Sequence, residues 1–477
     1  MLKKYLSDIA FMQVLNLLIK PIWILLIDAA VQEALPQEVY GNYFALFNFS
    51  LLFFIVLDLG LNSFNITEVA QDNSKIGVLT GSIIGLKIIL AVAYVLIVLG
   101  VGAVLGYTSQ EFGLLLILGA IQILTSLTQF FRSIVSSLQR FRVDGIFMVL
   151  DRILVILFVA ILLWSEIPKF ELTIHRFAYA QVLSLSLVLV SLLFFLRGYL
   201  SQVRISFSLA SILPILKKSW PFAMLVSLMG LYTYIDGVMI KYLVGDTEAG
   251  VYALGYRFYF ALLMFAQVFS GVLLPLFTKN IADSALIRSI SGYTVRLLLF
   301  GGLVASFITT VYSLDILTII NPGKANSDSA EVLVLLIFGF VGATLTLVYG
   351  ALLTAGKELK WLNRFAAITL LLNLILNLVL IPRYYAQGAA MATMTSQIFF
   401  GLICFFVSVR KYNLHLNFTS LLRPFLGVGL LALIIFWGKQ YAQNMSVHFV
   451  MIAITVLLAA YLFKLYKLKD LKSVLKK

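Results

Sequence analysis

Charge is what this sequence has least of. Only 12% of its 477 residues are Asp, Glu, Lys or Arg, against 62% hydrophobic, and the mean hydropathy is +1.03. A soluble fold has too much surface for core to make up most of the chain, so this balance excludes a soluble domain. No long polar insert is present to fold separately in water. Cysteine is nearly missing too. Cys404 stands alone inside an apolar run, which excludes an intramolecular disulfide and a cysteine-built zinc site. The three histidines, His175, His415 and His448, each fall at an expected loop or helix end. There is no phosphate loop, ATP-binding domain or metal-ligand pair on one helix face. The sequence therefore reads as no enzyme, with no cofactor and no metal.

What the chain does have is apolar runs of about twenty residues, each long enough to span a bilayer. They fall at roughly 9–32, 41–60, 77–106, 112–131, 146–164, 176–196, 219–243, 249–278, 292–313, 330–353, 363–381, 386–409, 424–441 and 447–465. The expected fold class is an all-α polytopic membrane protein with about fourteen transmembrane helices. Lys3 and Lys4 precede the first run and no small-residue cleavage site follows it, so the run is expected to stay as a first helix.

Basic residues alternate from loop to loop. Arg132, Arg140 and Arg142, then Lys217 and Lys218, then Lys357 and Lys360, then Arg410 and Lys411 all fall on one side. The opposite side holds Lys169, Arg176, Lys324, Arg383 and Lys439, with the acids Glu33, Glu38, Glu111, Asp246 and Glu248. The positive-inside rule then places both termini in the cytoplasm of a multi-pass inner (plasma) membrane protein. The net charge of +14 is mostly an orientation signal, so no nucleic-acid partner is implied. The Lys-rich tail is expected either against anionic membrane lipids or simply in solvent.

Residues 220–258 form the most informative stretch. Two apolar runs are joined by a short polar turn, Gly245-Asp246-Thr247-Glu248, which is the pattern of a transmembrane hairpin. Asp236 lies about ten residues before the turn and Arg257 about nine after it, at similar depth for a rise of about 1.5 Å per residue. Charges there either pair as a staple between the two helices or face an aqueous cavity and cargo. Other intramembrane cations are Lys20, Lys87, Lys241 and Arg296. Lys241 and Arg296 sit near helix ends and are also placed to snorkel. Asp28, eight residues after Lys20, is its expected partner. Asp151 and Arg152 form either an inner gate or an interfacial ion pair.

The chain also repeats itself. Glu38-Val-Tyr-Gly41-Asn-Tyr43 after the first helix matches Glu248-Ala-Gly250-Val-Tyr252 after the seventh. Ser136-Ser-Leu-Gln139-Arg140-Phe-Arg142, closing the fourth, matches Leu353-Thr-Ala355-Gly356-Lys357-Glu-Leu-Lys360, closing the tenth, with small and polar residues leading into paired bases in each. Two matches in nearly one register divide the chain into a six-helix lobe at 1–200, a second at 201–412 in the same orientation, and two added helices with a basic tail at 413–477.

Trp220-Pro221-Phe222, Tyr234-Ile-Asp236, Gly245, Ala249-Gly250-Val-Tyr252 and Arg257 together resemble the seventh-to-eighth helix region of the O-antigen-type polysaccharide flippases. These belong to the multidrug/oligosaccharidyl-lipid/polysaccharide exporter superfamily. Leu57-Asp58-Leu-Gly60-Leu-Asn62 and the stretch from Asn373 through Pro382 to Gly388-Ala389-Ala390 fit the same pattern. The resemblance implies two six-helix lobes in a V around a lumen. It implies alternating access that moves a polyprenyl-diphosphate-linked oligosaccharide to the outer leaflet for polysaccharide or lipopolysaccharide biosynthesis. A cationic lumen lined by Lys20, Lys87, Lys241 and Arg257 suits a diphosphate. Asp236 suits a coupling proton or sodium ion, while Asp28, Asp151, Arg152 and Arg296 take supporting or gate roles. A polysaccharide polymerase and glycosyltransferases are the implied neighbours. Two alternatives stay open. One is a peptidoglycan-precursor flippase, which shares about fourteen helices. The other is a cation-coupled drug antiporter, although basic intramembrane residues here outnumber acidic ones.

The topology is directly measurable. Once Cys404 is replaced, single cysteines at Ser109 and Thr247 are expected to react from outside with an impermeant thiol reagent. Cysteines at Ser284 and Ser473 are expected to stay protected until the membrane is opened. A reversed pattern removes the orientation, and a mixed one removes the helix count.

Overall fold

The computed structural model describes residues 11, 15–71, 76–165, 167, 171–201, 203–414, 423–429, 431–432, 454–456 and 458. Among them, regular structure is helical. The helices are α1 (Leu15–Ala34), α2 (Gln37–Leu52), α3 (Phe54–Asp58), α4 (Leu61–Gln71), α5 (Ile76–Val104), α6 (Ser109–Ser137) and α7 (Phe141–Trp164). They continue with α8 (Ile174–Leu200), α9 (Leu209–Val244), α10 (Asp246–Lys279), α11 (Ser284–Ile320), α12 (Ser327–Ala355) and α13 (Leu359–Lys411). Among the described residues, nine helices are long and apolar enough to cross a membrane, or ten with the bent pair formed by α2 and the segment after it. Helices are the expected solution, because hydrocarbon leaves every backbone polar group to be satisfied within the chain.

Counting α9 and the two halves of α13, each expected span through 386–409 falls on a described helix. The spans 424–441 and 447–465 are described only at 424–429, 431–432, 454–456 and 458, and the Lys-rich tail lies outside the described residues. α13 has 53 residues, about 80 Å at helical rise, far more than the ~30 Å hydrocarbon layer. It turns sharply at Tyr385, where φ is 51° and ψ −131°, three residues after Pro382. Gly388 there lies against the Leu380 carbonyl. Beyond the turn the chain runs back along α12, and Gly342 and Gly401 bring the two backbones together. Small residues at such a crossing substitute close packing for a hydrophobic driving force that lipid does not supply.

Helix ends are capped as the local sequence dictates. Thr108 accepts from the Glu111 N–H at 3.3 Å and Glu111 accepts from the Thr108 N–H at 2.7 Å, a capping box that starts α6. Asn326 and Ser329 form the same device ahead of α12. Gly245, at φ 101°, ends α9, and α10 begins at the next residue, so the expected hairpin turn is tighter than four residues. The two helix ends matched in sequence also share geometry. Gln139 and Lys357 are both left-handed, at φ 58° and 62°. Arg140 N–H donates to Val135 O as Glu358 N–H donates to Leu353 O.

Contacts group the chain into two compact units, Met1–Arg257 with Ile320–Lys324, and Phe258–Ile319 with Ala325–Lys477. Within the first, α6 packs on α8 and α2 on α9. The second matched motif meets its counterpart there. Gly41 of α2 abuts the Asp246 carbonyl, and a Cβ on Gly250 of α10 would stand 2.6 Å from the Gln37 carbonyl. The contact is reciprocal: each glycine faces the backbone at the start of the other's helix. Because backbone cannot yield there, Gly41→Ala and Gly250→Ala are each expected to cost about 1–3 kcal/mol, read as a lower unfolding temperature of the purified protein. Gly230→Ala is the control. A Cβ there meets nothing within 4 Å, and its unfolding temperature is expected to hold or rise.

Candidate functional site

The first unit collects its membrane-depth charges into four groups. One surrounds Arg257, whose side chain is 2% exposed. Its Nε lies 3.4 Å from Asp28 Oδ2, an ion pair without hydrogen-bond alignment, since Nε itself has no hydrogen-bond partner. Its terminal nitrogens donate to Asn321 Oδ1 at 3.1 Å, to Gln32 Oε1, to the Asp28 carbonyl at 3.4 Å and to the Tyr40 hydroxyl at 3.5 Å. The Tyr40 hydroxyl donates to Asp28 Oδ2 at 2.8 Å. Gln32 donates onward to the Gly250 carbonyl at 3.0 Å, and Asn321 to the Ala29 carbonyl at 2.9 Å. The guanidinium is thus held by one carboxylate and several neutral acceptors, which is how a buried arginine avoids an unmet desolvation cost.

For Asp236, the described contact is with Tyr252. Asp236 is buried and accepts from the Tyr252 hydroxyl at 2.9 Å. Similar depth does not fix direction: Arg257 follows Tyr252 by five residues, about 140° around α10 at 3.6 residues per turn, so the two side chains leave the helix on different sides. The expected Lys20–Asp28 pair is absent. Eight residues are two turns, about 12 Å along the axis, and Asp28 is taken by Arg257 and Tyr40. Lys20 is half-buried, and the charges acting on it are Arg152, Asp151 and Arg132. Asp151 and Arg152 form an ion pair at 3.4 Å, with the Arg152 guanidinium over the Trp23 ring of α1. Arg132 is bound by Asp144 at 2.7 Å.

Lys87 lies at a helix break. α3 ends at Asp58, Leu59 takes a left-handed φ of 44°, and α4 restarts at Leu61, so a helix is broken inside the unit. The Lys87 ammonium donates to the orphaned Leu57 carbonyl at 3.0 Å and to Ser126 Oγ at 2.7 Å, with Asp58 at 3.8 Å. Ser126 also donates to the Leu57 carbonyl, at 2.9 Å. A cation beside the carbonyl end of a helix is favourable electrostatically. Lys241 is likewise engaged, by Glu111 at 2.6 Å, Asp246 at 2.7 Å and Asn42 at 3.3 Å, rather than reaching into solvent. Tyr107 lies under it at 5.8 Å, and its phenol pKa is raised by burial and then by the Glu111 and Asp246 carboxylates. Arg296 lies half-buried on α11 in the second unit.

Several residues around these groups carry no sequence signal. The segment 321–324 follows α11 and reads as an ordinary turn, yet Lys324 donates to the Gln32 and Leu35 carbonyls at the end of α1, and Glu33 accepts from the Gly323 N–H at 2.7 Å. Burial lowers the Lys324 pKa, with Glu33 opposing. The loops expected on the outer side meet at one end of this unit: 35–37 with 250, 111 with 241 and 246, and 323–324 with 32–35. Among the described residues, no group of three or more His, Cys, Asp or Glu is arranged to hold a metal ion.

A sequence profile described as "Polysaccharide biosynthesis protein" matches residues 7–281. No curated protein sequence matches the chain significantly. Among solved structures, the chain is similar to the lipid II flippase MurJ in an inward closed conformation, with TM-score 0.74, 17% identity, and coverage of 96% of this chain and 97% of that one. It is also similar to an inward-facing multidrug resistance MATE family transporter of the MOP superfamily, with TM-score 0.63, 13% identity and coverage of 82% and 94%. A MOP superfamily transporter from Pyrococcus furiosus matches with TM-score 0.61, 13% identity and coverage of 86% and 96%. At these identities the likeness establishes the fold.

The helix break yields a test. Lys87→Met removes a charged donor from the Leu57 carbonyl and leaves Asp58 without its cation, so a loss of about 1.5–3 kcal/mol is expected. Ser126→Ala removes only a neutral donor and is expected to cost about 1 kcal/mol. Thermal unfolding of the purified variants measures both, and equal small effects would show that the break does not need the ammonium.

Proposed function

The chain belongs to the polysaccharide biosynthesis protein family, and we propose that it is a flippase for polyprenyl-diphosphate-linked oligosaccharide, of the kind used to build O-antigen or other surface polysaccharide. It works by alternating access of two six-helix repeats, 1–200 and 201–412, in the inner membrane with both termini cytoplasmic. The matched caps at Gln139 and Lys357 and the reciprocal Gly41 and Gly250 contacts support the repeat.

The observation that carries the reading is the group around Lys20, where three cations, Lys20, Arg132 and Arg152, stand with two carboxylates, Asp144 and Asp151. The excess is positive around Lys20, which itself lies within a span. A diphosphate brings the missing negative charge, and its glycan travels with it while the polyprenyl tail stays in hydrocarbon. Lys20 takes the diphosphate first and Arg257 takes it at the other end of the unit, exchanging Asp28 for a phosphate oxygen in a bidentate grip. Lys241 and Lys87 hold the helices that carry these groups. Asp236, hydrogen-bonded to Tyr252, is the site for a coupling proton or sodium ion. The fold is shared with a lipid II flippase and with multidrug transporters. A lipid diphosphate serves the first of these equally, whereas a cationic drug does not suit a positive site.

Lys20→Gln is expected to leave the protein inserted and lipid-linked glycan stranded in the cytoplasmic leaflet, with Lys20→Glu worse. Arg257→Ala is expected to abolish surface glycan, and adding Asp28→Asn is expected not to restore it. A purely structural pair behaves otherwise, since removing both charges relieves the buried one left behind. Glycan export and cationic-dye efflux are measured in the same variants at matched expression. Normal export by Lys20→Gln, or recovery in the Asp28→Asn, Arg257→Ala double variant, overturns the diphosphate role.

A further inference from the structure

The first unit contains a cavity of about 510 Å³ that none of these charges lines. Its wall comes from the end of α2 and from α3, from α6 and from α9. On α6, Gln122, Thr125 and Gln129 recur at intervals of three and four, which puts all three on one helix face. Gln122 is thirteen residues from the start of α6, about 20 Å at helical rise, so it lies midway through the span, while Gln129, which is exposed, lies near its other end. Opposite, α9 contributes Tyr234 and Gly230, and Phe54 of α3 adds an aromatic wall. Among the described residues lining the cavity, none carries a formal charge.

A buried amide such as that of Gln122 is costly unless it meets hydrogen-bonding partners. Gln122 spends one donor on Ser50 Oγ at 3.1 Å, and the Gln129 carbonyl accepts weakly from Asn62 at 3.5 Å. Each amide has two donors and one acceptor with two lone pairs, so most of this capacity is left for an occupant. A polyprenyl chain offers no partner for it. A phosphate calls for cations, which are elsewhere. A sugar ring fits, because its edges carry hydroxyls that both donate and accept and its CH faces are apolar enough to lie on Phe54 and Tyr234.

We propose that this cavity is a subsite for an uncharged sugar of the lipid-linked glycan, with Gln122, Thr125 and Gln129 as its specificity-determining face. It rests on the flippase reading above, with the glycan held apart from the cations that take the diphosphate. Gly230 supplies a clean way to close it. It lies on the wall, and a Cβ added there meets nothing within 4 Å, so Gly230→Leu fills space without straining the helix.

The test uses the full chain in lipid nanodiscs and two ligands. One is the polyprenyl-linked glycan extracted from cells deleted for this chain; the other is bare undecaprenyl diphosphate. The wild type is expected to hold the glycan-bearing lipid at least about tenfold more tightly, the worth of one or two hydrogen bonds. Gly230→Leu and the Thr125→Val, Gln129→Leu pair are expected to bring that preference to near unity, with affinity for the bare lipid unchanged. Equal wild-type affinity for the two ligands overturns the subsite and leaves the flippase reading standing. So does a preference that survives Gly230→Leu. Loss of affinity for both ligands in Gly230→Leu places the lipid tail, not the sugar, in the cavity. If deleted cells accumulate no lipid-linked glycan, or the wild type binds neither ligand, the flippase reading falls and the subsite with it. Should the α6 pair fail to fold, Gly230→Leu alone decides.

Discussion

A helix that ends within hydrocarbon must dispose of its last carbonyls without water, and the bond from Lys87 to the Leu57 carbonyl is how this chain does it. The arrangement is economical in residues. Lys87 comes from α5 and Ser126 from α6, so a single unmet carbonyl draws three segments together. Asp58, next in line, balances the ammonium and accepts from the Asn62 N–H at 3.4 Å, the first turn of the resumed helix. Around this polar knot the packing is apolar and dense. Leu61, Ile83, Phe130 and Ile134 are all fully buried beside it. Break, charge and core are therefore one feature, and the Ser126–Leu57 bond alone joins residues 69 apart in sequence.

The same constraint shapes the other end of the unit. Arg257 and Lys241 each lie on helices that cross lipid, and each is surrounded by acceptors from several segments rather than by one matched acid. A solitary ion pair in low dielectric leaves lone pairs and protons unmet. Neutral amides and a phenol fill those vacancies more cheaply than further charges would. This gives the arginine alternatives of nearly equal chemistry. In the structure, three neutral side-chain acceptors and one carboxylate share its donors.

Much of this was legible in the chain. Runs of apolar residues marked the spans, Gly245 marked the hairpin, and the short repeats marked helix ends that share capping geometry. Those features are local or periodic, and local chemistry determines them. Azimuth was not legible. Asp236 and Arg257 stand at similar depth, yet which way each points depends on where α1 and α10 lie, and no spacing rule reports that. Lys20 and Asp28 looked adjacent on a helical wheel, but axial distance separates them. Asn321 and Lys324 were invisible for the opposite reason. Their segment is a turn by every local measure, and its hold on α1 is purely tertiary. Gln32, fully buried, passed unnoticed because an uncharged amide at a helix end raises no alarm.

That hold has a consequence for how the protein is made. Asp28 waits 229 residues for Arg257, and Gln32 and Leu35 wait about 290 for Lys324. At ~5–20 residues per second, synthesis from the first to the arginine takes on the order of ten to fifty seconds. Throughout that interval Tyr40 alone of the described partners can reach the Asp28 carboxylate, and the carbonyl end of α1 still lacks Lys324. The first helix to enter is thus among the last to be settled, and the first compact unit closes only when residue 324 has emerged. A chain cut short between α10 and α12 has the Arg257 contacts to α1 but lacks those from Asn321, Gly323 and Lys324, which gives quality-control proteases a physical mark by which to tell an unfinished copy from a finished one.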